Sequence, residues 1–414
     1  MNDAAHVPEE LERRFGLLSL VDGRQPFSRL AGALLISSIG DPFSLAVSLV
    51  IAYGVTHDAL AIAAAYGCRT IAALVVGALA GSVTDRLDRR WLLVGLDGSR
   101  FLMLLAMPPL VAVTPYVIFP CLFLLGAAES LAQPARLAAA VGLAPPGRVE
   151  QANSLMMVSF SIAQAVGFAL AGVLLILSSR PTYAYWIDSV TFLASALLVL
   201  TLPNLGGGVK TAMVQLSGLK HFARAKLRPL LLVTSGTNFF IGVATATVLP
   251  LAYVLYKDGP AAYTWLEVAL IAGLVAGSLA ISRWDLFRPE VLMTLAVLAF
   301  GLAALGIAAT PWLATALLAF AVSGVANVIY SVRNRAALMR RAGPQEQGAV
   351  MATRYSAAQA SQVLGLGLGG LVATAAGARA SFVVAGLGMI VVGGLFSAHL
   401  LRRPDDVTVV SPEP

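Results

Sequence analysis

The amino-acid sequence predicts an all-α polytopic membrane protein with about 12 transmembrane helices in two pseudo-symmetric six-helix bundles. Its 414 residues are 58% apolar and only 12% charged, whereas a soluble domain carries about twice that charge. The apolar runs are continuous and lack the period-two alternation of an outer-membrane barrel. A soluble enzyme, a secreted disulfide scaffold and a disordered chain are excluded on the same grounds.

Long uncharged runs locate the helices along the chain. No charged residue lies between Glu150 and Arg180 or between Glu290 and Arg333, and the second run is long enough for two spans. Such runs persist only where water is absent. We therefore expect transmembrane helices near residues 27–54, 58–83, 91–112, 115–140, 151–177, 182–203, 228–256, 261–283, 289–309, 311–332, 350–376 and 380–401.

The distribution of basic residues predicts the orientation in the membrane. If the N-terminus is cytoplasmic, the outer loops contain only Arg180, Lys257 and Arg379 among the 28 Lys and Arg residues. The positive-inside rule then places both termini in the cytoplasm. We expect the protein in the inner (plasma) membrane. The first residues contain several charges and no compact apolar core, so we expect no cleaved signal peptide.

A polar interruption divides the chain into two halves. The expected order is a cytoplasmic N-terminal segment (1–26), a first six-helix bundle (27–203), a cytoplasmic linker (204–227), a second bundle (228–401) and a cytoplasmic tail (402–414). A shift of 198 residues superposes Gly126 on Gly324 and Gln164 on Gln362. A shared glutamine and glycine at one offset indicate a parallel internal repeat.

Two opposite charges lie at matching depth in neighbouring predicted helices. At about 1.5 Å per residue, Asp41 and Arg69 are both about 20 Å from the cytoplasmic surface. An unpaired charge at that depth costs several kcal/mol, so we expect either a mutual ion pair or a protonated Asp41. The pair is a candidate for proton coupling, and a permanent structural pair is the alternative.

Glu129 is a third embedded charge and a further candidate for proton coupling. Its mate in the repeat is Asn327. Because embedded acids usually face the interior of a bundle, a position in a central cavity is favoured over an ion pair with Arg136 or Arg100.

Embedded amides are candidates for binding a substrate in the cavity. Amides also join helices to one another, and both interpretations remain open. The candidates are Gln164, Asn238, Asn327 and Gln362.

The other acids and the histidines suggest no further site. Asp188 and Glu267 are expected near the outer ends of their helices, and Asp97 is expected to pair with Arg100 three residues later. The four histidines fall in tails, loops or helix ends, so neither a metal site nor a cofactor is predicted.

Residues 81–90, in the loop after the second predicted helix, read GSVTDRLDRR. This loop resembles the signature loop of the major facilitator superfamily. More narrowly, Gly40-Asp41 and Gln133-Pro134-Ala135-Arg136 resemble the exporter branch that includes macrolide efflux pumps and the enterobactin exporter. The resemblance, together with the ability of Asp85 and the arginines to pair across the helix ends in one conformation, favours a conformational latch. Its residues are Gly81, Asp85, Arg86, Asp88, Arg89, Arg90, Asp97 and Arg100. The alternative is that Arg86, Arg89 and Arg90 only anchor the topology beside acidic lipid headgroups.

The resemblance also implies a function. It implies a secondary active exporter of amphipathic small molecules that works by alternating access. Protons are the expected coupling ion, and membrane lipid surrounds the protein. Export of a siderophore or other biosynthetic product and lipid flipping are alternatives. A membrane enzyme would need a catalytic nucleophile or a set of metal ligands, and the sequence shows neither. The scattered basic residues do not indicate a nucleic-acid partner.

Overall fold

A computed structural model describes residues 26–84, 87–144, 149–178, 180–205, 219–257, 259–281, 289–342 and 346–402. These residues form a succession of helices joined by short turns. They are α1 Pro26–Thr56, α2 Ala59–Thr84, α3 Arg89–Val113, α4 Ile118–Leu143, α5 Val149–Leu177, α6 Tyr183–Leu200, α7 Leu219–Ala223, α8 Arg228–Thr245, α9 Val248–Val254, α10 Gly259–Ala280, α11 Pro289–Ala309, α12 Leu313–Arg341, α13 Gln347–Ala376 and α14 Ala378–Arg402. A 3-10 helix, Pro115–Val117, precedes α4.

Ten helical segments of the described chain are long and apolar enough to cross a membrane. Two more long helices pack among them. In α5 the apolar segment Ile162–Leu177 is shorter, and α13 carries polar Arg354 and Gln359 in its first half. α5 packs against α1, and α13 packs against α8. The chain is therefore an all-α, multi-span membrane protein, as its composition and apolar runs predict.

The seventh predicted helix, near 228–256, is interrupted in the structure. α8 ends at Thr245, and α9 begins at Val248. Pro250 explains the interruption, because it has no N–H to donate to the carbonyl of Ala246. Thr247 lies between the two helices and donates its hydroxyl to the carbonyl of Ala244 at 2.9 Å.

Equivalent helices of the two halves pack in the same way. Gly126 of α4 lies against the backbone carbonyl of Arg69 in α2. Gly324 of α12, which is the residue 198 positions later, lies against the backbone carbonyl of Leu270 in α10. In both places a glycine lets two helices approach closely. The internal repeat is therefore visible in the packing as well as in the sequence.

The buried apolar side chains form three large clusters. We call the end of the molecule where α1 begins and α14 ends the base, and the opposite end the top. At the base each half has its own cluster, which contains Phe27 in the first half and Leu230 in the second. At the top a single cluster contains side chains of both halves, among them Tyr53 and Leu249. Of these three clusters, only the one at the top is therefore shared by the two halves.

Several polar and close contacts join the halves near the top. Asp58, between α1 and α2, accepts a hydrogen bond from the hydroxyl of Thr374 in α13. The hydroxyls of Tyr66 in α2 and Tyr263 in α10 are 3.1 Å apart. Gly370 of α13 lies directly against α2, where a side chain would separate the two helices. These contacts close the top of the molecule.

Candidate functional site

Two opposite charges meet in the middle of the first half. Asp41 lies near the centre of α1, and Nη2 of Arg69 in α2 is 3.5 Å from its Oδ1. The side chains retain 23% exposure for Arg69 and 12% for Asp41. Their matching depth in the sequence predicts an ion pair or a protonated acid, and the structure has the ion pair. Because both side chains keep some exposure, the pair is not sealed into the bundle.

Pro42 changes the hydrogen bonding of α1 next to Asp41. Proline has no N–H, so the carbonyl of Ser38 four residues earlier lacks its helical donor. The side-chain amide of Gln164 in α5 donates to that carbonyl at 3.4 Å. Gly167, three residues further along α5, lies against the ring of Pro42. In this conformation Gln164 joins two helices, and its contact with a substrate stays a prediction.

Four charged residues of α3 and α4 form a second site, which we call the charge cluster: Asp97, Arg100, Glu129 and Arg136. Nη2 of Arg100 is 2.9 Å from Oε2 of Glu129, and Nη2 of Arg136 is 3.3 Å from Oδ1 of Asp97. Each guanidinium also reaches the other acid, at 3.5 Å and 3.4 Å. Two negative and two positive charges therefore compensate one another.

Neutral groups complete the hydrogen bonding of the charge cluster. Gln133, one turn after Glu129, donates to Oε1 of that acid at 2.8 Å. Ser195 of α6 donates to Oδ2 of Asp97 at 2.7 Å. The charge cluster therefore ties α3, α4 and α6 together inside the first half.

The ion pairs of Glu129 differ from the sequence-based preference. The sequence favours a cavity position for Glu129 over an ion pair with Arg136 or Arg100, whereas the structure shows ion pairs with both. The physical reason is that two buried guanidinium groups require a counter-charge. Glu129 keeps 20% exposure, so one side of it remains open.

The described residues among those assigned to the conformational latch do not all lie together. Gly81 lies in the last turn of α2, and Asp85 and Arg86 lie outside the described residues. Asp97 and Arg100 are buried in the charge cluster, two turns or more inside α3. These two residues therefore belong to the interior of the half and not to the loop.

The remaining latch residues lie at the start of α3. Asp88 caps the helix by accepting the backbone N–H of Arg90 at 2.7 Å, and Arg89 is buried. The guanidinium of Arg90 donates to the carbonyl of Leu200 at the end of α6. In this conformation these contacts lie within the first half, and a latch between conformations stays a prediction.

The amides of the second half make local contacts. The side chain of Asn238 donates to the carbonyl of Thr234 in its own helix at 2.9 Å. Oδ1 of Asn327 accepts the hydroxyl of Ser331 at 3.1 Å. Gln362 is half-buried on α13. Binding of a substrate by these residues stays a prediction.

The second half contains a cavity of about 110 Å³ with Glu267, Ser323 and Asn327 in its wall. The sequence places Glu267 near the outer end of its helix, and the structure places it on this wall, where α10 faces α12. Glu267 and Asn327 follow Arg69 and Glu129 by the same 198 residues. The second half therefore has an acid and an amide where the first half has a cation and an acid.

One buried acid is missed by the sequence-based reasoning. Asp188 lies in the second turn of α6, near a helix end as the sequence predicts, but it is fully buried, which the sequence-based reasoning does not predict. Gly40 of α1 lies against its carboxyl group and against Thr191. The missed signal is the spacing of Gly40, Ser44 and Ser48, because small residues every four positions let a neighbouring helix approach.

No group of three or more His, Cys, Asp and Glu side chains within the described ranges is arranged to hold a metal ion. Cys68 and Cys121 are free thiols.

Comparison with known proteins identifies the family. The sequence profile of the Major Facilitator Superfamily matches residues 30–282 and 231–414. No curated protein matches the chain significantly by sequence.

Solved structures of transporters share the fold. The nucleoside transporter NupG superposes with a TM-score of 0.74 at 15% identity, covering 90% of this chain and 98% of that one. A bacterial homologue of the human lysosomal transporter Spinster gives 0.72 at 13% identity, covering 96% and 99%. A POT family transporter in complex with a thioalcohol-conjugated peptide gives 0.71 at 10% identity, covering 91% and 96%.

At such low identity these similarities show the fold alone. The family match extends over nearly the whole chain, and the repeat, the helices and the paired halves agree with it. The chain belongs to the major facilitator superfamily and is a membrane transporter, not an enzyme.

Proposed function

We propose that the chain is a secondary active exporter of amphipathic small molecules, such as drugs or natural products, which works by alternating access and exchanges its substrate for protons. The observation that carries the proposal is the ion pair of Asp41 and Arg69, which is partly exposed in the middle of the first half. Export of a siderophore or another biosynthetic product and lipid flipping are the alternatives on the same fold.

The arrangement of the three apolar clusters supports alternating access. Transporters built from two related halves open a central site to each side in turn. One cluster shared at the top and one cluster for each half at the base are consistent with a state closed at the top. The positive-inside rule favours a cytoplasmic base. In that orientation this state collects substrate from the cytoplasm, as an exporter must.

The ion pair supports proton coupling. An unpaired charge in the middle of a membrane costs about 2.5–3.5 kcal/mol. Asp41 therefore requires either Arg69 or a proton. If the rocking of the halves also shifts α1 against α2 within the first half, the pair separates and Asp41 takes up a proton instead. The proton leaves when the pair forms again. This cycle links a change of conformation to the movement of one charge.

Asp41→Asn in reconstituted vesicles tests the proposal. We expect the variant to lose substrate accumulation driven by a proton gradient and to keep substrate binding, because the amide has the shape of the protonated acid but cannot release a proton. The matched control is Glu346→Gln. Glu346 is an exposed acid at the base, where a hydrogen bond from Arg224 lowers its pKa. The control should transport like the unmodified protein.

The same vesicles separate the alternatives. Undiminished gradient-driven transport by Asp41→Asn removes Asp41 from the coupling role. Reorientation of labelled phospholipid without any gradient, and without accumulation of a soluble substrate, favours a flippase instead.

A further inference from the structure

Asp188 is the most deeply buried acid of the first half that lacks a cation. Its side chain is fully buried in α6, and it forms no ion pair with any residue in the described part of the chain. Oδ1 accepts the hydroxyl of Thr191 at 3.1 Å, whereas Oδ2 has no hydrogen-bond partner. A buried polar oxygen without a partner is rare in proteins and requires an explanation.

The charges around Asp188 do not compensate an ionised carboxylate. On α1, Asp41 repels it, and on α2, Arg69 attracts it, but Arg69 is already paired with Asp41. On α4 the titratable neighbour is the thiol of Cys121.

The fourth neighbouring element is α3, whose charged groups are also engaged elsewhere. Asp97 and Arg100 reach α6 at Ser195 and Phe192, toward the base. Both belong to the charge cluster, whose charges balance among themselves. A bound proton therefore explains how Asp188 can be buried without a cation, because a protonated carboxylic acid carries no charge.

Small and hydroxyl-bearing residues of α1 connect Asp188 to Asp41. Gly40 brings α1 directly against the Asp188 carboxyl group. Ser44, one turn further, also faces that carboxyl group, and its hydroxyl donates to the backbone carbonyl of Asp41 at 3.2 Å. Ser44 thus faces the carboxyl group of Asp188 and bonds to the backbone of Asp41.

We infer that Asp188 is a second proton-binding carboxyl group of the first half and that it exchanges its proton with Asp41 past Ser44. While Asp41 is paired with Arg69, the proton resides on Asp188. When that pair separates, the proton moves from Asp188 to Asp41, and Arg69, which is no longer engaged with Asp41, compensates the carboxylate left on Asp188. The total charge of the two acids is unchanged. The role in transport rests on the proposed proton coupling, but proton binding itself can be measured without transport.

Infrared difference spectroscopy during a pH titration of the purified protein tests this inference. A protonated carboxylic acid has a C=O stretching band that a carboxylate lacks. We expect the unmodified protein to show such a band for a buried acid, with an intensity that changes with pH. Asp188→Asn should lose this band and bind one proton fewer per protein.

Ser189→Ala is the matched control. Ser189 is the next residue, it is buried, and its hydroxyl donates to the carbonyl of Trp186 at 2.7 Å. The control removes a buried polar group but no titratable one, so it should keep the band. A band that Asp188→Asn retains, or one that it loses but that never responds to pH, contradicts the inference.

Ser44→Ala provides a second measurement if Asp188→Asn does not fold. It leaves both acids in place and removes the hydroxyl between them, so the frequency of the Asp188 band should shift. An unchanged spectrum contradicts the connection through Ser44. If the bands behave as expected but export needs no proton gradient, the proton site stands and the proposed coupling fails.

Discussion

Asp97, Asp41 and Asp188 show three ways in which the first half accommodates a buried carboxyl group. Asp97 lies between two guanidinium groups, Asp41 has one partly exposed cation, and Asp188 has none among the described residues. The fewer cations an acid has, the more its burial favours a proton. The three acids therefore differ in how their charge is compensated, and we propose proton coupling for Asp41 and Asp188 only.

Asp97→Asn should strongly destabilise the protein. Removal of this acid leaves Arg100 and Arg136 with only Glu129 between them, and breaking a buried ion pair typically costs about 3–5 kcal/mol. Thermal unfolding in detergent measures the effect.

Ser195→Ala is the control for this prediction, because it removes only a hydrogen bond to the same carboxylate. Such bonds contribute about 0.6 kcal/mol in membrane proteins. Equal stability of the two variants would show that the charge cluster is not a structural unit.

The helices differ in how far the sequence predicts them. The long uncharged runs predict the spans and the repeat, because hydrocarbon requires helices with few charges. The break in the seventh span can be predicted from Pro250 alone, because the effect of a proline on the preceding turn is local. The burial of Asp188 has only an indirect signal in the small residues of α1, because it depends on how closely α6 packs against Gly40. The ion pairs of Glu129 likewise depend on the rotation of α4 toward α3.

The approach of α2 and α13 at the top yields a prediction about the balance between conformations. A Cβ atom on Gly370 would lie 3.0 Å from Cβ of Ala63 and 3.1 Å from Cα of Leu60, so Gly370→Leu should force the helices apart. We expect this variant to favour a state that is open at the top, measured by labelling of an introduced cysteine at Tyr66.

Gly367→Leu is the matched control, on the same helix. No atom lies within 4 Å of a Cβ built there, so labelling should be unchanged. If both variants label alike, the α2 and α13 contact does not control the opening of the top.

At the scale of the whole molecule, the two halves are similar in fold and different in chemistry. The equivalent helices pack alike around Gly126 and Gly324, but the first half carries Arg69 and Glu129 where the second carries Glu267 and Asn327. We therefore expect proton binding to be concentrated in the first half, while the repeat lets both halves rock about the shared cluster at the top.

Distances between spin labels on the two halves test alternating access most directly. Labels replace exposed side chains in a chain without Cys68 and Cys121. The base pair is Leu87 and Met339, and the top pair is Val113 and Trp312. Distances are measured by double electron–electron resonance in lipid, at neutral and at acidic pH.

Acidic pH should protonate Asp41 and shift the population to a state closed at the base and open at the top. We predict that the distance between the base labels decreases while the distance between the top labels increases. Distances that stay constant, or that both change in the same direction, would contradict the account of two halves that rock in response to proton binding.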